Sequence, residues 1–433
     1  MNFSTLPNLV ALSILVLVFW AILRQATTER LHLWLAGWIL VLLHFGAQFF
    51  GSDEGPWCRM TAAISLDSLV LAGIAFLISV SAIACNRWRQ SLFALALAVP
   101  SIAYIHGAIW GVSGRGYYYA VVAVGLCACC LLFCYFQRRL DLIAAGMVLG
   151  TAVTAAGMAW AAGRDLEWGI TVLLSALNFA VAILYWTRYR RATAGVLTAV
   201  GGFALWGAVF PTATLLSILV PSNKIESEVW NIPKYLVAVG MILTLLEDQI
   251  EKSRYLAYHD ELTGLPNRRL LEDRLDLALA AANRTGSKVA VLLLDLDRFK
   301  EVNDTFGHRV GDLALQEVVG RLSSRIRASD TLARSGGDEF TVVSYVRDAQ
   351  GARSLVSSLE AALTAPISVR GEQVQTGLSI GLALYPDDGS DPDQLHSAAD
   401  RAMYAAKRAA RNGSHNGLPQ PGPCISTFEH GLQ

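Results

Sequence analysis

The stretch "RSGGDEFTVV", Arg334 to Val343, decides how this chain is read, for it sets two glycines and two adjacent acids between apolar, strand-like residues. Thr331–Ser335 and Glu339–Tyr345 read as strands. Gly336-Gly337 reads as the hairpin turn between them, since glycine accepts the positive φ a tight turn needs. Glycines also let a phosphate approach the backbone. The acid that follows, Asp338, is expected beside the end of a neighbouring strand.

That neighbour is Val289 to Leu294, an uninterrupted apolar run of strand length, which reads as a strand buried on both faces. It ends in Asp295-Leu296-Asp297, and carboxylates there are costly unless paired or bound to a cation. Helical spacing covers 268–282, Leu315 to Ile326, about 352–364 and about 392–411, while 373–385 is strand-like. The order implies an α+β domain with a mostly antiparallel sheet covered by helices. Two converging carboxylates and a backbone carbonyl make a hard oxygen site suited to Mg2+, usually completed by substrate phosphates. Lys407 and Arg411, four apart, share a helix face suited to a polyphosphate.

These residues resemble the GGDEF-domain diguanylate cyclases, over roughly 255–413. The resemblance rests on five ordered motifs: "DELTGLPNRR" (260–269), "DLDRFKEVNDTFGHRVGD" (295–312), "GGDEF" (336–340), "SIGLALYPDDG" (379–389) and "ADRAMYAAKRAARN" (399–412). It implies an enzyme that joins two GTP molecules into cyclic di-GMP, releasing pyrophosphate. It assigns Asp295, the Leu296 carbonyl and Asp338 to Mg2+ (with Mn2+ as an alternative), and Asp338 also to accepting the 3′-hydroxyl proton, with Glu339 beside it in the catalytic pair. Asn303 and Asp312 resemble the pair that reads guanine, with His308 nearby. Phe299, Lys300, Gly336 and Gly337 would line the nucleotide, and Lys407 and Arg411 its far end. Arg327 and Asp330 match an Arg-x-x-Asp product-inhibition site. One departure is Ala410 before Arg411-Asn412, where the family usually has glycine.

Outside that domain the chain changes character. Of its 433 residues 54% are hydrophobic and 16% charged, the latter below the ~25% usual for soluble domains. Residues 1–249 hold only 14 Lys+Arg and 11 Asp+Glu. Nine candidate spans lie near 8–23, 31–50, 61–85, 91–110, 117–136, 142–162, 168–186, 194–220 and 231–247, an all-α polytopic region for a lipid bilayer. Arg24/Arg30, Arg87/Arg89, Arg138/Arg139 and Arg188/Arg190/Arg191 fall in alternate loops; Arg59, Arg115, Arg164 and Lys224 fall between them. Positive-inside places the N-terminus outside and the end of the chain in the cytoplasm, at a bacterial inner membrane.

The expected organisation is a membrane domain over 1–242, a helical stalk over 243–259, the GGDEF domain over 260–413 and a disordered tail over 414–433. Leu243, Leu246, Ile250 and Ala257 form a stripe through which the stalk could pair two copies, and reciprocal attack by two GTP-bearing domains requires a homodimer. His44 and His106 read either as a ligand or haem site or as polar helix contacts. Cys127, Cys129, Cys130 and Cys134 read as packing residues. The balanced charge gives no sign of a nucleic-acid polymer as partner. Two other classes compete with the enzyme: a non-catalytic nucleotide receptor and a transporter with a regulatory soluble half.

Overall fold

A computed structural model describes residues 3–25, 29–51, 56–81, 87–136, 142–219 and 229–413. Arg138, Arg139, Lys224, Cys424 and the expected tail lie outside the described residues, as do the side chains of Arg87, Cys134 and Arg411. The chain forms two compact units, Met1–Asp248 and Gln249–Gln433.

The first unit is built of α1 (Leu6–Gln25), α2 (Glu29–Phe50), α3 (Pro56–Val80), α4 (Arg87–Trp110), α5 (Arg115–Phe136), α6 (Leu142–Ala162), α7 (Leu166–Tyr189), α8 (Ala194–Leu219) and the start of α9 (Ile232–Tyr258). Among the described residues seven helices are long and apolar enough to cross a membrane: α1 to α5, α7 and α8. Nine spans were expected. The apolar stretch of α6 that is described runs only from Gly146 to Ala162. Helix α9 opens on Pro233 and Lys234 and carries Glu247, Asp248, Glu251 and Lys252 along its second half, which dilutes its hydropathy.

An aromatic cluster of Phe19, Trp34, Trp38, Phe76, Tyr185 and Phe203 fills the interior of this unit. Trp34 donates its indole N–H to Ser79 Oγ at 2.9 Å. The two histidines meet neighbouring helices. His44 Nδ1 lies 2.8 Å from the Ser65 carbonyl and 2.9 Å from Ser65 Oγ, and His106 Nε2 lies 2.8 Å from Asp67 Oδ2. Lys234 is 1% exposed; its ammonium donates to Asn8 Oδ1 at 2.9 Å and sits 3.6 Å from the centre of the Phe45 ring. The basic loop after α7 meets α9, with Arg191 2.8 Å from Asp248 and Glu247 accepting from Thr193 and Gly195.

The second unit follows from one strand. The run Lys288–Asp297 is β1, and it is central because nearly all of its side chains are buried. β2 (Thr331–Arg334), β3 (Glu339–Val346) and β6 (Gly377–Tyr385) complete an antiparallel sheet in the order β2-β3-β1-β6. Successive side chains of a strand point to opposite faces. Ala290, Leu292, Leu294 and Leu296 therefore enter one core, with α11 (Phe299–Phe306), α12 (His308–Ser323) and α13 (Ala349–Ala362). Val289, Val291 and Leu293 enter the other, with α10 (Arg268–Thr285) and α14 (Pro392–Gly413).

Local chemistry sets the helix ends. Asn267 caps α10 by accepting from Leu270 N–H, and Gly286 ends it in the left-handed conformation. Asp348 caps α13 in the same way through Gly351 N–H. The strand expected across 373–385 is split: its first two residues end β5 (Glu372–Val374), which pairs with β4 (Ile367–Val369) in a small hairpin, and its remainder from Gly377 is β6. Gly371, at φ +90°, turns that hairpin, and the break between β5 and β6 falls at Gln375-Thr376.

Candidate active site

The hairpin between β2 and β3 is closed by main-chain bonds from Ser335 N–H and Gly336 N–H to the Glu339 carbonyl, at 3.0 and 3.3 Å. Neither Gly336 nor Gly337 takes positive φ, so the conformational reason expected for them is corrected. Space is the reason at 336, where a Cβ would lie 2.8 Å from Glu339 Oε2; at 337 a Cβ would meet nothing within 4 Å.

Arg334 straps this turn to the start of the unit. Its guanidinium donates twice to the Gly337 carbonyl, at 3.2 and 2.6 Å, and once to Asp260 Oδ1 at 2.8 Å. Asp260 Oδ1 also accepts from Thr263 N–H and Oγ1, an Asx turn that shapes the segment before α10. Burial alone would raise the Asp260 carboxyl, but the Thr263 and Arg334 hydrogen bonds outweigh it and hold the group below its ordinary value. Sequence reasoning passed over Arg334 and the Asp260–Thr263 turn as site-forming residues. The Asp-x-x-Thr spacing was the available signal.

At the end of β1, Asp295 stands opposite Glu339, and Leu296 N–H donates to the Asp338 carbonyl at 3.2 Å. The strand ends thus bring Asp295, Leu296, Asp338 and Glu339 side by side. Asp295 is 9% exposed, and a carboxylate so enclosed needs a cation. Lys407, expected at the far end of a polyphosphate, supplies it at 2.8 Å. Asp297, two residues on, is turned to β6, where Ser379 Oγ donates to it at 2.6 Å. Among the described residues no three His, Cys, Asp or Glu side chains gather as a ready metal cluster.

The chain enters α11 through Arg298 in the left-handed conformation, with no side-chain cap. Phe299, expected along the phosphates, is 5% exposed and packs in the core, which leaves its backbone alone to face a ligand. Asn303 on α11 is half-buried, and Lys300, His308 and Asp312 are exposed. Two cavities flank the hairpin. One of about 520 Å³ is lined by Asp260, Arg269, Arg334 and Gly336; another of about 460 Å³ lies between α10 and α14 and reaches Glu339. Neither is lined by Asn303, His308 or Asp312. Asp330 accepts from Arg327 N–H at 2.9 Å and from Ser344 Oγ at 2.9 Å, so its carboxylate shapes the turn that presents the exposed Arg327.

Residues 257–413 match the family model described as "Diguanylate cyclase, GGDEF domain". The chain carries a GGDEF domain. Relatives of this domain include the diguanylate cyclase TpbB of Pseudomonas aeruginosa, 44% identical over 168 residues, which are 38% of this chain and 39% of TpbB. They also include the bifunctional diguanylate cyclase/cyclic di-GMP phosphodiesterase MucR of the same organism, 41% identical over 192 residues, 41% of this chain and 28% of MucR. The chain therefore spans less than half the length of these curated relatives. The crystal structure of the TpbB GGDEF domain is similar at 44% identity and a TM-score of 0.34, covering 34% of this chain and 92% of that one.

Proposed function

We propose that the chain is a membrane-anchored diguanylate cyclase. The observation that carries this reading is the junction at the sheet edge, where the β1 acid Asp295 stands opposite Glu339 while Leu296 and Asp338 share a main-chain bond. The uninterrupted signature and the names of the relatives agree with it.

In this reading each domain holds one GTP. Asp312 accepts from the donor edge of guanine, and Asn303 completes base recognition. Lys300 and the backbone at Phe299 hold phosphates. Asp338 takes the proton of the 3′-hydroxyl, whose oxygen attacks the α-phosphorus of the GTP in the facing domain. The bond from that phosphorus to the bridging oxygen breaks, pyrophosphate leaves, and the reciprocal attack closes the ring. The donor set Asp295, Leu296 carbonyl and Asp338 fits a hard divalent cation, Mg2+ or Mn2+, which stabilises charge on the phosphates and lowers the pKa of the attacking hydroxyl. Lys407 then exchanges Asp295 for the polyphosphate.

Reciprocal attack needs two copies. Leu246 and Ile250, both more than half exposed on α9, offer the seam. The apolar helices would place the first unit in the bacterial inner membrane, with the N-terminus outside, and the exposed Arg327 would take product in feedback inhibition. The test is to incubate purified full-length protein with GTP and Mg2+ and to read products by mass, beside Asp338→Ala. Cyclic di-GMP from the parent alone establishes the enzyme. GTP binding without product from a demonstrated dimer shifts the reading to a nucleotide receptor.

A further inference from the structure

Gly311 is the fourth residue of α12, and its φ is not in the left-handed region. No backbone requirement calls for glycine there. In a helix interior glycine is less favourable than alanine by about 0.8–1.0 kcal/mol, so its presence asks for another cause. The surroundings supply one. A Cβ at 311 would lie 1.9 Å from Asn303 Oδ1 and 3.0 Å from Asn303 Cγ, with Phe299 Cζ at 3.5 Å. The Asn303 amide thus rests against the bare Cα of Gly311, close to the buried Phe299 ring.

Among the described residues the Asn303 side chain makes no hydrogen bond, so this packing is what orients it. One edge of the amide is seated on α12, and the other is left for a ligand. Asp312, the second residue expected to read guanine, follows Gly311 directly on the same turn. A single helix turn therefore carries one recognition group and the seat of the other.

We infer that Gly311 is a positioning residue for nucleotide binding, acting through Asn303. The inference deepens the reading given above and rests on it for the identity of the ligand. An alanine at 311 displaces only the far end of a flexible side chain, so the fold survives and helix propensity improves, while the amide must swing away from its seat. Stability and binding are expected to move in opposite directions.

The experiment compares full-length parent, Gly311→Ala, Asn303→Ala and the double variant in detergent. The probe is 3′-deoxy-GTP with Mg2+, which lacks the attacking hydroxyl, so that affinity is read by equilibrium dialysis without turnover. Thermal unfolding is followed in parallel. Expected are an unfolding midpoint for Gly311→Ala equal to or above the parent, and a Kd raised about tenfold or more. The double variant should bind no more weakly than Asn303→Ala alone, since coupled sites are not additive. Parent-like binding by Gly311→Ala overturns the inference, as does additivity in the double variant or a lowered midpoint, which marks Gly311 as a packing residue only. A parent that fails to bind the probe overturns both this inference and the nucleotide reading. A parent that binds it but makes no product from GTP removes only the cyclase, and the binding series still decides Gly311.

Discussion

Two lysines show how differently the units handle charge. Lys234 is 1% exposed in the helical unit, with a neutral amide oxygen and the faces of Phe45 and Tyr235 as its neighbours. Lys407 is about one-third exposed in the GGDEF domain and is bonded to the carboxylate of Asp295. The first charge is sealed by its neighbours, and the second is held by a partner it can exchange. Burying a charge is costly unless polar groups meet it, whereas the proposed chemistry requires groups that can change partners. The pair that the proposed function puts to use belongs to the second unit, while the first holds its ammonium with interactions that fix geometry.

The largest effect expected from breaking this contrast is at the exchangeable end. Under the proposed function Asp338→Ala removes a metal-ligating and proton-accepting group together, and activity should fall on the order of 10³-fold or more, as loss of several kcal/mol of charge stabilisation implies. Quantifying cyclic di-GMP by mass checks it; retained product would relocate the reactive group. At the sealed end, Asn8→Ala leaves the Lys234 ammonium without its oxygen acceptor. Thermal unfolding in detergent should then register a loss of about 1.5–3 kcal/mol. Lys234→Met, which removes the charge and keeps the bulk, should be neutral or stabilising, and a large loss there would show that the ammonium itself is needed.

A smaller and pH-dependent effect is expected where Arg334 straps the hairpin. Asp260 has a lowered folded-state pKa, so it contributes stability above the unfolded carboxylate value and loses it as pH falls through the folded value. Asp260→Asn should cost about 1.5–2 kcal/mol near neutral pH, and the gap between variant and parent in urea unfolding should close on acidification. A gap that persists at low pH would show that the turn depends on shape rather than charge. The smallest effect belongs to Glu272→Ala. It breaks the exposed pair with Arg268 and should change stability by about 0.5 kcal/mol or less in the same urea experiment.

Much of this architecture was legible before the structure, for identifiable reasons. β1 announced itself because a strand covered on both faces must be apolar throughout. The β2–β3 hairpin followed from two glycines between apolar runs. Helix α11 was not read, because "FKEVNDTF" is eight residues long and mostly polar, too short for a period to show. The burial of the Phe299 ring was missed as well: the resemblance set this residue along the nucleotide, and its side chain anchors α11 in the core. The pairing of Lys407 with Asp295 joins positions 112 residues apart, and no local pattern encodes such a contact. Asp295 and Asp297 share a strand face, and only the position of Ser379 on β6 separates their roles.

Strand β1 carries the site as a matter of parity. Its odd positions lead to Lys407 and its even positions to the core that anchors Phe299, so the count from Val289 to Asp295 decides whether a carboxylate or an apolar side chain meets the lysine. A single inserted residue ahead of Asp295 would exchange the two sets at once. It would send a carboxylate among leucines and a leucine toward the lysine, without altering composition, hydropathy or the signature hairpin. The acidic edge of this domain is therefore written in an even-or-odd register, a kind of information that substitution leaves intact and that insertion or deletion erases.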